Sequence, residues 1–255
     1  MGTRAAGSGL PGQTADVRDH DQIRRFLRSS FDWEVDEIEE VGRGAWSTAY
    51  RFDADGRALV IRVGAHVEDF QADRAAAAFR SSALPIPDVL HVGAFGEVYC
   101  CVSTFAPGTP LESCSAAEWA AVVASLVDAL EAMRGCRSGR RGRTWSEVLL
   151  AVNDDHSGTR LEGWRDGIAR SPEASAALDA SMSQLRSIDA QIGLGTIEPT
   201  LTHGDLVNRN AHMADGVVTG IFDWGCMRWG DHLYDLAWFE FWSPWNSRTR
   251  RGIAA

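Results

Sequence analysis

Lysine is absent from the 255-residue chain, so all 25 basic residues are arginine. That absence excludes chemistry built on a lysine amine, the Walker P-loop and Schiff-base catalysis among it. Cysteine is scarce, and the five thiols at 100, 101, 114, 136 and 226 form no Cys-x-x-Cys pair. An odd number with two direct neighbours points to neither a disulfide framework nor a zinc site, and it places the chain in the reducing cytoplasm. No run approaches the ~18 apolar residues of a membrane span, and residues 1–16 have no apolar core of a secretory signal. Positive charge is also in deficit: 25 basic residues against 35 acidic ones give a net charge of −10. This sign disfavours tracking of nucleic-acid phosphates and suits a cationic small molecule.

What is present describes a folding chain. With 45% hydrophobic and 24% charged residues, 255 residues suffice for one large domain or two lobes around a real core. Residues 1–18 read as a disordered tail rich in Gly, Ala and Thr. Residues 19–31 space Ile23, Phe26 and Leu27 as a covering helix. Short β-rich runs follow at 38–44, 48–53 and 58–63, with Asp55-Gly56 as a hairpin signal between the last two. The pattern predicts a helix over 69–82, then strands over 89–94 and 98–105.

Pro107, Gly108 and Pro110 end the strand series, so a hinge is expected at residues 106–110. It separates an N-terminal lobe, 19–105, from a C-terminal lobe, 106–255. Ser115 and Glu118 form a capping-box pattern at the head of a long helix over 115–134. Further helices are expected at 145–152 and 173–192. Between them residues 134–143 carry five Arg and no acid, most simply an exposed loop.

The chemistry concentrates in residues 201–235. His203-Gly204-Asp205 is followed, after four intervening residues, by Asn210; a turn at Asp215-Gly216 then leads into an apolar strand ending at Asp223-Trp224. Such spacing lets one loop present Asp205 and Asn210 while the returning hairpin brings Asp223 alongside. Amide and carboxylate oxygens converging on one point suit Mg2+, a hard cation that bridges phosphates. A second carboxylate nearby can orient and deprotonate an attacking hydroxyl. The same residues also fit a set of turn-forming Asx positions, or a metal-dependent hydrolase using His203 and the aspartates as ligands. Asp231 is placed to cap the helix that begins there, and Asp235 could face a cationic substrate.

His203-x-Asp205-x-x-x-x-Asn210 followed by Asp223 resembles the catalytic loop and metal-binding Asp of the protein-kinase-like fold. The fuller series, with Gly230-Asp231 and Asp235-Leu236-Ala237, looks like the aminoglycoside phosphotransferases. Residues 82–87 and 60–63 and the Phe241-Trp242-Ser243-Pro244-Trp245 run are most similar to the hygromycin B phosphotransferase branch. The resemblance implies an α+β, protein-kinase-like two-lobe fold: a small antiparallel-sheet N-lobe and a mainly helical C-lobe. It implies an ATP- and Mg2+-dependent phosphotransferase acting on a hydroxyl of a cationic aminoglycoside and conferring antibiotic resistance. Asp205 would be the catalytic base, Asn210 and Asp223 the metal ligands, and His203 and Asp231 structural supports. A kinase for a macrolide or metabolite, or an inactive nucleotide-binding relative, are the alternatives.

The resemblance also implies a nucleotide side. Residues 42–47, with Gly44 and Ser47, resemble a shortened loop whose backbone N–H groups approach phosphates. Kinases carry a Lys on the third strand; the matching position here is Arg62, whose fork can grip phosphate in a bidentate manner. Its expected acid partner on the next helix is Asp73, with Asp69 and Glu68 as substitutes. Backbone groups of 104–106, with Thr104 and Ala106, would line the adenine pocket. Family members run well past the helix at 231–237, so the resemblance gives this chain a shortened C-terminus.

Overall fold

The computed structural model describes residues 20–137, 146, 163–206 and 208–242. The expected tail, the helix at 145–152, most of the Arg-rich segment and the Pro244-Trp245 region lie outside them. Contacts divide the chain into two compact units, Met1–Val67 with Val89–Phe105, and Glu68–Asp88 with Ala106–Ala255.

The first unit is a five-stranded antiparallel sheet carrying one helix. Strands β1 (Ile38–Arg43), β2 (Ser47–Ala54), β3 (Arg57–Gly64), β4 (Val89–Phe95) and β5 (Val98–Thr104) lie in the order β1-β2-β3-β5-β4. Period-2 alternation sends Tyr50 and Phe52 of β2 and Leu59, Ile61 and Val63 of β3 to the buried face. Helix α1 (His20–Phe31) lays Ile23 and Leu27, both fully buried, into the same core. The β2–β3 connection has φ of 50° at Asp55 and 68° at Gly56, the two positive values a right-twisting two-residue hairpin requires.

The second unit begins with helix α2 (Val67–Ala77), which ends five residues before the sequence pattern suggests. The chain leaves the helix to bury Leu84 and Ile86 in the second core beside Ala76, and Pro85 and Pro87 disfavour helix at the residues before them. For that reason residues 68–88 pack with the second unit rather than with the strands that flank them in sequence. The expected hinge segment contains a two-residue strand, β6 (Thr109–Pro110), paired with β8 (Ala211–Ala214).

Helix α3 (Ala116–Gly135) starts at the capping box: Glu118 N–H donates to Ser115 Oγ (3.3 Å) and Ser115 N–H to the Glu118 carboxylate (2.7 Å). It buries Trp119, Val122, Leu126, Ala129 and Met133, one stripe at helical spacing. A short helix, α4 (Trp164–Ala169), precedes α5 (Pro172–Ile192), which is capped by Ser171, opens on Pro172 and closes on Gly193 at φ 67°. Strand β7 (Thr200–Thr202) pairs with β10 (Arg228–Gly230), β8 pairs with β9 (Val217–Ile221), and helix α6 (Leu233–Trp242) follows. Among the described residues no helix is long and apolar enough to cross a membrane.

Candidate active site

Strand β7 delivers His203, Gly204 and Asp205 into a loop that returns through Asn208–Asn210 to β8. The ladder fixes what faces what: Ala211 pairs with Ile221, and the next step is closed by Phe222 N–H donating to Asn210 O (3.1 Å). Asn210 is therefore held one residue from Asp223, the juxtaposition expected from the spacing of the motif. Asp223 adopts φ 68°, ψ 57°, a left-handed conformation that Asp tolerates better than most residues. It ends the strand abruptly and turns the chain into the short 3-10 helix Trp224–Cys226.

Hydrogen bonds orient the loop from inside. His203 is fully buried and its Nε2 lies 3.1 Å from Phe222 O, which can only accept, so Nε2 carries the proton. Its Nδ1 then accepts from Asp205 N–H (3.3 Å). Both ring nitrogens are spent within the protein, which excludes the hydrolase alternative that makes His203 a metal ligand. Asp235 clamps the loop backbone: Oδ2 accepts from His203 N–H (2.8 Å) and Oδ1 from Gly204 N–H (2.9 Å). Its carboxylate is 1% exposed and faces those amides, not a cationic substrate. Burial pushes the Asp235 carboxyl above the usual carboxylate range, against the opposing pull of the two N–H donors and of Arg228.

Gly204 is obligatory at its place. Its φ is +81°, and a Cβ there would stand 2.2 Å from Cys226 O. This close approach joins the loop to the 3-10 helix that follows Asp223, and the Thr200 and Thr202 hydroxyls, bonded to Gly230 O and Arg228 O, hold β7 against β10.

Asp205 receives three contacts. Its backbone oxygen accepts from Asn210 Nδ2 (2.8 Å), its Oδ2 lies 3.4 Å from the same amide nitrogen, and its Oδ1 accepts from Trp238 Nε1 (3.1 Å). Because carbonyl oxygen only accepts, Asn210 must point its NH2 at Asp205, leaving Oδ1 as its acceptor. That oxygen and the Asp223 carboxylate make a hard, oxygen-only donor pair, the chemistry Mg2+ selects. The residues present thus fit the expected cation. Among the described residues no group of three His, Cys, Asp or Glu side chains gathers as a softer metal site. Asp231 Oδ1 accepts from Leu233 N–H (3.0 Å) at the head of α6.

The nucleotide-side candidates divide between the units. In the first, Arg62 Nη2 donates to Ser47 Oγ (3.3 Å), so two residues chosen separately are brought together. Gly44 N–H closes the β1–β2 turn on Ser47 O (2.9 Å), while a Cβ at Gly44 would meet only Ser47 O at 3.6 Å. Thr104 ends β5 opposite Leu59. In the second, Ala106 O accepts from His212 Nδ1–H (3.0 Å). Asp73 lies in the second unit, where its Oδ1 accepts from Trp224 N–H (2.8 Å), directly after Asp223. Asp69, one turn earlier, packs so tightly on Gly225 that a Cβ there would come within 2.7 Å of its Oδ1. Sequence reasoning missed the Asp73 bond to Trp224 N–H, the Asp235 clamp and Trp238, since no short-range pattern marks partners 31 to 151 residues apart.

A kinase-like α+β chain with a His-Gly-Asp loop, an amide and an aspartate on adjoining strand ends defines a phosphotransferase class. Residues 37–254 match the phosphotransferase enzyme family APH, and the chain belongs to that family. It is 29% identical over 238 residues to hygromycin-B 4-O-kinase of Escherichia coli, a stretch covering 88% of this chain and 67% of that protein. A crystal structure of a thermostable mutant of aminoglycoside phosphotransferase APH(4)-Ia, in ternary complex with AMP-PNP and hygromycin B, superposes with TM-score 0.74 at 27% identity, covering 91% of this chain and 80% of that one. Spectinomycin phosphotransferase APH(9)-Ia, in complex with ADP and spectinomycin, shares the fold alone, with TM-score 0.51 at 14% identity, covering 96% of this chain and 81% of that one.

Proposed function

We propose that the chain transfers the γ-phosphoryl group of ATP to a hydroxyl of an aminoglycoside, with hygromycin B the first candidate. The observation that carries this reading is the arrangement of Asp205. Its carboxylate is held by Trp238, and its backbone by His203 and Asn210, next to the strand end that presents Asp223.

Asp205 takes the proton of the acceptor hydroxyl as the alcohol oxygen turns toward phosphorus. Asn210 Oδ1 and the Asp223 carboxylate would hold Mg2+, which would supply charge neutralisation for the transferring phosphate. In the first unit Arg62 and Ser47 bind phosphate oxygens, with the Gly44 turn beside them, and the Thr104 backbone contacts the base; in the second, Ala106 N–H does the same. Arg62 brings a permanent, forked charge to this task where a kinase lysine would bring a point charge. His203 and Asp231 act as supports. The net charge of −10 draws a cationic drug toward the chain.

The test is drug-dependent ADP release in a coupled assay with ATP and Mg2+. ADP should form with hygromycin B present and stay at background without it. Equal rates with and without drug would refute the acceptor assignment, and a panel of other aminoglycosides would then identify the hydroxyl donor.

A further inference from the structure

Helix α6 reaches the His203–Asp205 loop twice. Asp235 holds the loop backbone, and Trp238, three residues on and on the same face, holds the side chain of Asp205 through its indole N–H (3.1 Å). We infer that Trp238 is a positioning residue for the base: it occupies Asp205 Oδ1 and thereby assigns proton acceptance to Oδ2. The inference deepens the phosphotransfer reading above and rests on it.

An indole nitrogen is a donor only and does not titrate in the working range, so it can neither take the proton nor release the carboxylate as pH changes. The other oxygen is differently placed. Among the described residues Oδ2 has only a long 3.4 Å approach from Asn210 Nδ2, an amide already committed to Asp205 O at 2.8 Å. The carboxylate is thus asymmetric, with one oxygen bonded and the other able to accept. In the transfer, the O–H bond of the acceptor breaks and its proton passes to Oδ2. The alcohol oxygen bonds to the γ-phosphorus, and the bond from that phosphorus to the β–γ bridging oxygen breaks, releasing ADP.

The ring itself is held. Tyr234 stacks on Trp238 (5.9 Å, 16°), Phe241 lies nearly parallel on it (6.1 Å, 22°), and Trp242 meets it at 5.7 Å and 70°. Arg228 lies over the Tyr234 ring, 5.3 Å from its centroid. A half-buried tryptophan free to rotate could satisfy its N–H with water; one packed in an aromatic ladder aims it. Since the same helix carries Asp235, the loop backbone and the carboxylate direction are fixed by a single rigid element.

The test compares Trp238→Phe, which keeps a flat ring and removes the donor, with the unaltered chain. The kcat for drug phosphorylation should fall roughly ten- to a hundredfold, the loss of one hydrogen bond to a charged group, while KM for ATP and the melting temperature stay put. A merely structural role would move the melting temperature and KM with it. A kcat within about twofold of the unaltered chain would overturn the inference. A second readout needs no turnover: in a spectrum of 15N-labelled indole groups, the resonance lost in Trp238→Phe should shift in Asp205→Ala. If it stays in place, no such bond exists. Should the unaltered chain phosphorylate nothing, the acceptor reading fails, while this resonance still decides whether Trp238 holds Asp205.

Discussion

Removing the Asp235 carboxylate should unlatch the catalytic loop, and the size of the effect follows from two hydrogen bonds. In Asp235→Ala the N–H groups of His203 and Gly204, both buried, lose their acceptor. Each orphaned donor costs about 1–3 kcal/mol, so the variant should lose about 2–6 kcal/mol, a large part of the 5–15 kcal/mol that typically separates folded from unfolded chains. In thermal unfolding of the second unit, about 2–4 °C per kcal/mol gives a fall of at least about 4 °C. Asp235→Asn keeps one acceptor oxygen but turns an NH2 against the other N–H, so it should lose about half as much.

The pH dependence separates this account from a simple cavity. Burial raises the Asp235 carboxyl in the folded chain, so the stability linked to its proton is fully present below the usual carboxylate range and is lost as pH climbs through the raised value. Asp235→Asn has no such proton, so its deficit relative to the unaltered chain should shrink as pH rises from the acid side through that window. A deficit that grows with pH, or an alanine variant melting within 1 °C or so of the parent, would refute the reasoning.

Three further expectations follow from neighbouring contacts. Gly204→Ala meets both a φ of +81° and Cys226 O at 2.2 Å, so it should destabilise the chain by at least about 1–3 kcal/mol and lower kcat; a parent-like melting curve would contradict the geometry. Asp73→Ala frees the Trp224 N–H beside Asp223, and the Mg2+ concentration for half-maximal rate should rise several-fold more than KM for the drug; equal shifts would show a general structural loss. Burial pushes the Cys100 thiol up to about 12, so iodoacetamide near pH 8 should label it only after denaturation, and rapid labelling of the native chain would argue against the buried placement.

How much could be read in advance depended on the range over which the signal acts. The capping box at Ser115 and Glu118 is decided within one turn and stands in the structure as the sequence implies; the Ser171-Pro172 start of α5 acts over the same range but precedes the expected start at 173. The end of α2 was not legible because the Ala-rich run gives no stop signal; burial of Leu84 and Ile86 in the second core ends it. Strand β6 is two residues in a Pro-Gly stretch and exists only because Met213 and His212 lie opposite. At the site, the spacing of Asp205, Asn210 and Asp223 sufficed to bring Asn210 and Asp223 to adjoining strand ends, because a hairpin enforces proximity. Asp235 and Trp238 reach the His203–Asp205 loop, and Asp73 the turn after Asp223, from distant helices, and an Asp or a Trp on an amphipathic helix has many ordinary reasons to be there.

The most direct test of the central claim is mass spectrometry of hygromycin B after incubation with the purified chain, ATP and Mg2+, run beside Asp205→Ala. The account predicts drug carrying one added phosphoryl group, with the rate falling roughly 10²–10⁴-fold in the variant while the melting temperature shows it still folded. Product formation by Asp205→Ala at the parent's rate would contradict it.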